Sequence, residues 1–159
     1  MVQLTLITVG ALKESYLKEA VSEYKKRLSQ YARVEEINIK EELIKDESDA
    51  SLVKRALDNE GDKILSLIPK DSATVALCVE GRQYDSEGLA SLIGRISDEK
   101  GKITLIIGSS HGLSDKVKSI ATVRLSVSHM TFPHQLMRVI LIEALYRSFT
   151  IIAGKKYHK

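Results

Sequence analysis

Residues 125–138 of the chain read LSVSHMTFPHQLMR, and they are the most informative part of the sequence. The pattern predicts a strand, then a polar loop, then a helix that opens at Pro133 or just after it, because proline is favoured in the first helical turn. A second strand-to-loop junction lies upstream, where the apolar run Ile103–Ile107 precedes the polar loop Gly108–Leu113. Two polar loops that follow strands indicate a ligand crevice at the carboxyl edge of a parallel sheet.

Apolar runs and helical periodicities alternate along the whole chain. The predicted strands are Val2–Val9, Val34–Ile39, Ala73–Val79, Ile103–Ile107 and Thr122–Val127, with a turn at Glu80–Arg82. The predicted helices are Lys13–Gln30, one capped by Ser48 or Asp49 and running to Ile68, one capped by Ser86 and running to Ile96, a short one after Ser114, and His134–Ile151. This alternation predicts one α/β domain over residues 1–159, with a mainly parallel sheet flanked by helices.

Length and composition fit a globular domain. The 159 residues are 43% hydrophobic and 28% charged, which argues against disorder. No apolar run approaches the roughly 20 residues of a membrane helix, and Val2–Val9 resembles a strand more than a signal peptide. A cytoplasmic location is therefore expected. The net charge is +3, and its basic surplus lies in residues 71–159, which is compatible with a phosphate-bearing partner.

The last predicted helix carries little polar surface between Leu136 and Phe149. A helix that is apolar nearly all round must be covered on several sides, so a partner subunit is expected. Cys78 is the only cysteine and is expected to be a small buried hydrophobe. The four histidines lack the helical spacing of a zinc site, so no metal is expected.

Several short motifs together resemble one known family over essentially the whole chain. They are Leu4–Gly10, Asp58–Gly61, Leu77–Arg82, Ile107-Gly108 with Gly112–Ser114, Leu125–Arg138, Glu143–Arg147 and Tyr157–Lys159. On these motifs the chain resembles the ribosomal RNA large subunit methyltransferase H family, in the SPOUT class. The Thr-x-Pro-His segment and the Tyr-His-Lys ending are the specific parts, since glycine loops alone occur in many proteins.

The resemblance implies a SPOUT-type fold with a C-terminal trefoil knot and no separate RNA-binding domain. It implies a homodimer that uses S-adenosylmethionine to methylate N3 of pseudouridine1915, in helix 69 of 23S rRNA on the assembled ribosome. Carried over by motif, the cofactor-binding residues are Leu77, Gly108, Val127, Ser128, His129, Met130, Thr131 and Phe132. One departure matters. The family usually has a second glycine after Gly108, and Ser109 stands there, which would be costly if that position needs a positive φ.

The chemistry needs a base or cationic donors near the cofactor, because the N3 imide nitrogen must lose a proton to become a nucleophile. The candidate catalytic residues are Arg138, His134, Tyr157 and His158, and the candidate RNA contacts are Lys155, Lys156 and Lys159. Each has a plainer alternative. His134 either accepts a proton or bonds structurally to the loop. Arg138 meets RNA or pairs with a carboxylate, and the terminal residues stack on a base or form a frayed tail.

Two other functions compete with the methyltransferase. One is a non-catalytic, dimeric RNA- or ribosome-binding module of the same fold, which would not bind S-adenosylmethionine. The other is a nucleotide-binding α/β protein. The second is weakened because only Gly10 follows the first strand, where a glycine-rich fingerprint would be required.

Overall fold

The computed structural model of the chain describes residues 1–158, and strands and helices alternate through most of it. The order is β1 (Val2–Val9), α1 (Ser15–Leu28), β2 (Ala32–Ile39), α2 (Ala50–Leu67), β3 (Ala73–Arg82), α3 (Ser86–Lys100), β4 (Lys102–Ile107), α4 (Asp115–Ile120), β5 (Val123–Leu125) and α5 (His134–Ile152). The predicted α/β class is confirmed, and every predicted strand and helix has a counterpart in the structure. No helix formed by residues 1–158 has the length and apolar character needed to cross a membrane.

The five strands form one sheet in the order β2-β1-β4-β3-β5, and all four strand pairings are parallel. Leu105 of β4 lies in register with Leu6 of β1 on one side and with Val75 of β3 on the other. Because the strands are parallel, their carboxyl ends meet at a single edge of the sheet. The loops that follow β3, β4 and β5 are therefore neighbours.

Helices cover both faces of the sheet, and the alternation of side chains along each strand supplies the two cores. In β1, Leu4 and Leu6 pack in the cluster that includes α1, α3 and α5. Ile7 and Val9 pack in the second cluster, with Ile64 of α2 and Val117 of α4. This double burial explains why the central strands are almost continuously apolar.

Three predicted boundaries are wrong in ways that affect the site. Strand β3 does not end at Val79 but continues to Arg82, so the expected turn at Glu80–Arg82 lies within the strand. Helix α3 is capped by Asp85, whose carboxylate accepts a hydrogen bond from the Gly88 N–H at 2.7 Å. Strand β5 covers only Val123–Leu125, because the chain leaves the sheet before Val127 to form the loop ahead of α5.

Helix α5 is covered largely by its own chain, which limits the surface left for a partner. Leu141, Ile142, Leu145 and Phe149 are buried in the core beside α1 and α3. Sequence periodicity could not distinguish packing of α5 against α1 and α3 from packing against a second subunit, since both need the same apolar side chains. What remains outside is a narrower stripe that begins at the exposed Leu136.

Candidate functional site

A cavity of about 320 Å³ lies at the carboxyl edge of the sheet, among the loops that follow β3, β4 and β5. It confirms the crevice predicted from the two strand-to-loop junctions. The predicted cofactor residues that line it are Leu77, Gly108, Val127, Ser128, Met130, Thr131 and Phe132. His129 is exposed and does not line it. His134, at the start of α5, lines the cavity as well.

The loop after β4 folds back tightly on itself at Gly108. A Cβ atom at this position would overlap the carbonyl oxygen of Gly112 and lie 2.6 Å from its carbonyl carbon. The Gly112 N–H donates to the Ser109 carbonyl at 2.9 Å, which closes the turn. Only glycine therefore allows this approach, which gives Gly108 a steric role in shaping the cavity.

Ser109, the departure from the family pattern, fits this turn without strain. Asp71 is the only non-glycine residue with a positive φ in the described chain, so Ser109 does not need the glycine conformation. Its side chain is buried, and its hydroxyl oxygen accepts a hydrogen bond from the His111 N–H at 3.3 Å. The serine therefore adds a hydrogen bond to the turn.

The end of β3 contributes lining residues that the sequence analysis missed. Leu77 and Arg82 both lie in register with Leu125, so the intervening residues bulge out of the sheet. A Cβ at Gly81 would lie 2.8 Å from the Arg124 backbone, which shows how closely β3 approaches β5 after the bulge. The bulge directs residues 78–80 to the cavity. A glycine inside a strand pattern was the available signal, since it often marks a bulge.

Two of the bulged side chains have defined chemistry. The Glu80 carboxylate pairs with the Lys118 ammonium at 2.5 Å, and this hydrogen bond holds the pKa of Glu80 below its usual value. Cys78 is half-buried and lines the cavity, which corrects the expectation of a buried core residue. Burial raises the pKa of the Cys78 thiol, so the thiol is protonated and weakly reactive at neutral pH.

The loop between β5 and α5 is held by its own serines. The Ser126 hydroxyl donates to the Ser128 carbonyl at 3.2 Å, and the Met130 N–H donates to the Ser128 hydroxyl at 3.0 Å. Pro133 occupies the N-cap of α5, and no side chain in the described part of the chain caps this helix. Thr131 therefore does not cap it, and the first N–H groups of α5 are available as donors near the cavity.

Arg138 lies one turn beyond His134 and is almost fully buried. Its guanidinium donates to the carbonyl oxygens of Val9, at 3.2 Å, and Gly10. Burial lowers the pKa of this guanidinium, and its Nε finds no hydrogen-bond partner among residues 1–158. Among residues 1–158 it pairs with no carboxylate but hydrogen-bonds to the end of β1, and it does not line the cavity.

The C-terminal residues dock on α5 and form a second cluster of polar side chains, which we call the tail cluster (Glu143, Arg147, Tyr157 and His158). Arg147 donates to Glu143 at 2.5 Å, lies 3.4 Å from His158 Nδ1, and stacks over the Tyr157 ring at 4.8 Å. The Tyr157 hydroxyl donates to Glu143 at 3.2 Å. Burial, followed by the neighbouring Tyr24 and Glu143, raises the pKa of Tyr157 to about 12, so the phenol keeps its proton.

Arg147 was not among the predicted site residues, because its i,i+4 spacing to Glu143 is also that of an ordinary surface pair. The lysines nearby differ in their contacts. Lys155 donates to Gln30 at 3.0 Å and lies over the Tyr31 ring, whereas Lys156 is exposed. Lys159 lies outside the described residues. Within residues 1–158, no group of three or more His, Cys, Asp or Glu side chains is placed to hold a metal ion.

Comparisons with known proteins agree over nearly the full length. A family model described as "Predicted SPOUT methyltransferase" matches residues 2–158. The ribosomal RNA large subunit methyltransferase H of Bacillus pumilus is 45% identical over 98% of this chain and 99% of that protein. The proteins of the same name from Shouchella clausii and Caldicellulosiruptor saccharolyticus are both 46% identical, over 98% and 97% of this chain and 99% and 98% of their own lengths.

Proposed function

Because this chain belongs to the ribosomal RNA large subunit methyltransferase H family of SPOUT methyltransferases, we propose that it methylates N3 of a pseudouridine in helix 69 of 23S rRNA on the assembled ribosome. The observation that carries the proposal is the cavity at the carboxyl edge of the sheet, which seven of the eight expected cofactor residues line. A ribosomal substrate places the enzyme in the cytoplasm. The resemblance further implies a trefoil knot, which stays a prediction.

The cavity fits S-adenosylmethionine in size and in the chemistry of its walls. Its volume falls in the range of about 300–1,000 Å³ that is usual for small-molecule sites. The tight turn at Gly108 brings main-chain groups to the surface, and residues 127–132 form an irregular loop without strand or helix bonding. These backbone groups would hold the cofactor, which supplies a sulfonium methyl group when bound.

His134 is the side chain best placed to accept the N3 proton of the target. It lines the cavity, and its Nε2 faces Gly10, 3.8 Å from where a Cβ there would lie. Arg138 supports it indirectly, because it ties the start of α5 to the carbonyls that end β1. Tyr157 serves as a hydrogen-bond donor and not as a base, since its pKa is about 12.

The tail cluster cannot reach the cavity of its own chain. His134 and Arg147 lie thirteen positions apart on α5, which at 1.5 Å per residue is about 20 Å. In a twofold dimer with α5 helices packed antiparallel, the Arg147 end of one subunit would meet the His134 end of the other. Leu136, Ile140 and Ala144 follow each other at four-residue intervals and are not buried, which gives α5 the apolar stripe for this contact.

The active site would then be composite. The cavity of one subunit would hold the cofactor, while Arg147, Tyr157 and His158 of the other would orient the pseudouridine and stabilise its imide anion. A guanidinium with two or more donors suits the imide oxygens, and its charge favours loss of the N3 proton.

The direct test is transfer of a labelled methyl group from S-adenosylmethionine to ribosomes that lack the modification. Deletion of residues 157–159 should leave cofactor affinity nearly unchanged and strongly reduce transfer, because Tyr157 and His158 do not line the cavity of their own chain. A cofactor-defective Gly108→Val subunit mixed with a tail-deleted subunit should regain one intact site. The formation of heterodimers must be shown separately. If these heterodimers are no more active than the two parent variants, the tail acts within its own subunit and the composite site is wrong.

A further inference from the structure

The rim of the cavity beside β3 and β5 carries positive charge that the cofactor does not need. Arg82 and Arg124 are both exposed and lie on neighbouring strands, where Arg82 is in register with Leu125. Neither has a carboxylate within ion-pair distance in the described part of the chain. Lys118 adds a third positive charge at the same rim and is balanced by Glu80.

Neither arginine lines the cavity, but both adjoin Leu125, which does, since Arg124 precedes it in the chain and Arg82 is in register with it. Arg124 lies near enough to Glu80 and Cys78, which line the cavity, for its charge to favour the ionised form of both. The backbone of Arg124 is packed against Gly81, next to Arg82. A polymer whose target nucleotide enters the cavity on the β3–β5 side would pass close to these arginines.

Arg82 also has the shape of a stacking platform. Its guanidinium lies over the Tyr84 ring at 4.8 Å from the ring centre, and Tyr84 is itself packed against the core. The ring supports the guanidinium, and Arg82 is nonetheless exposed to solvent. Planar guanidinium groups stack on nucleobases and bind phosphates, which an ammonium group cannot do in both ways.

We propose that Arg82, Arg124 and Tyr84 form a subsite for the RNA strand next to the nucleotide that enters the cavity. Arg124 contacts a phosphate, and Arg82 contacts a phosphate or stacks under a flanking base while Tyr84 holds it in place. This inference rests on the proposed function, since it assigns the strand that flanks the methylated nucleotide. It explains how a chain with a net charge of only +3 concentrates charge where the RNA arrives.

The test measures binding of unmodified ribosomes without cofactor, at several salt concentrations, and then methyl transfer. Arg82→Ala and Arg124→Ala should each weaken ribosome binding by about tenfold, and in transfer they should raise KM for ribosomes more than they change kcat. The double variant should also reduce the magnitude of the slope of log affinity against log salt, by about one if only Arg124 contacts a phosphate and by about two if both arginines do. Arg33→Ala is the matched control, because Arg33 is exposed on β2 at the opposite edge of the sheet.

Arg82→Lys separates stacking from charge. It should keep the salt slope of the wild type but lose affinity, and Tyr84→Leu should resemble it, whereas Tyr84→Phe should bind normally. Affinity for S-adenosylmethionine, measured by calorimetry, should stay unchanged in the arginine variants, which shows that the cavity is intact. Sedimentation should show the same assembly state as the wild type.

Three results would overturn the inference. They are wild-type ribosome binding by the double variant, equal losses in Arg33→Ala, or a change of assembly state that accounts for the loss. A wild-type protein that binds ribosomes through these arginines but transfers no methyl group would instead refute the proposed function and leave the subsite standing. Ribosome binding therefore tests the subsite, and methyl transfer tests the proposed function, so that either can be refuted without the other.

Discussion

Replacement of Gly108 by alanine is the sharpest test of how the cavity is built. The added Cβ would overlap the Gly112 carbonyl oxygen, lie 2.6 Å from its carbonyl carbon and 3.0 Å from a methyl group of Leu113. Ordinary contacts begin near 3.4 Å, so the two segments must separate by at least about 0.8 Å. The side chain of Leu113 can move, but the Gly112 backbone is fixed by its bond to Ser109.

This separation has a cost that can be bounded. Added methyl groups in well-packed sites typically cost about 1–3 kcal/mol. The displaced loop is a wall of the cavity, so the cofactor can bind only after the loop returns to its original path. The free energy needed for this return is subtracted from the binding free energy. At 1.4 kcal/mol for each factor of ten, we expect the affinity for S-adenosylmethionine to fall roughly ten- to a hundredfold.

Calorimetric titration of Gly108→Ala with S-adenosylmethionine provides the measurement, with thermal unfolding as a check of the fold. Gly101→Ala is the matched control, because Gly101 has a φ of 67° and caps α3 with nothing within 4 Å of an added Cβ. It should lose stability through backbone strain yet bind the cofactor normally. Wild-type affinity in Gly108→Ala would refute the steric role of this glycine.

Three further outcomes are expected. Arg138→Met should lower the free energy of unfolding by about 1–3 kcal/mol, because the buried carbonyls of Val9 and Gly10 lose their donor; an unchanged melting temperature would contradict this. Glu60→Gln should stabilise the protein at pH 7, since burial raises the pKa of the Glu60 carboxyl and disfavours its ionised form. This gain in stability should vanish as the pH falls and the wild-type Glu60 becomes protonated. A gain that does not depend on pH would be evidence against this cause. Leu136→Glu should sediment as a monomer, whereas Ile152→Glu, which is exposed beside Gly94 of α3 on another face of α5, should remain dimeric; a dimeric Leu136→Glu would exclude the proposed stripe.

The elements that decide the fold could be predicted because their signals are local. Asp49 caps α2, and Ser114 caps α4 through its hydroxyl, as their positions before apolar periodicities indicate. The apolar runs of β1 and β4 show strands buried on both faces, and the loops after β4 and β5 contain most of the cavity wall. Each of these features depends on residues only a few positions apart.

The misplaced features depend on contacts between distant segments. The bulge at the end of β3 exists because Gly81 meets the backbone of Arg124, more than forty positions away. Arg138 becomes a buried donor because β1 ends beside it, at a separation of 129 residues for Val9. Arg147 joins Tyr157 and His158 only after the tail folds back on α5. No pattern of periodicity or capping in the sequence contains this information.

The bond between Arg138 and the end of β1 has a consequence for synthesis of the protein. Strand β1 is synthesised well before its neighbour β4, which begins at Lys102, and before Arg138, which closes it. At about 5–20 residues per second, β1 waits on the order of ten seconds for β4, with only β2 available as a partner. A nascent chain held that long with an apolar strand edge is a natural client for chaperones, and early termination before α5 should yield an insoluble fragment.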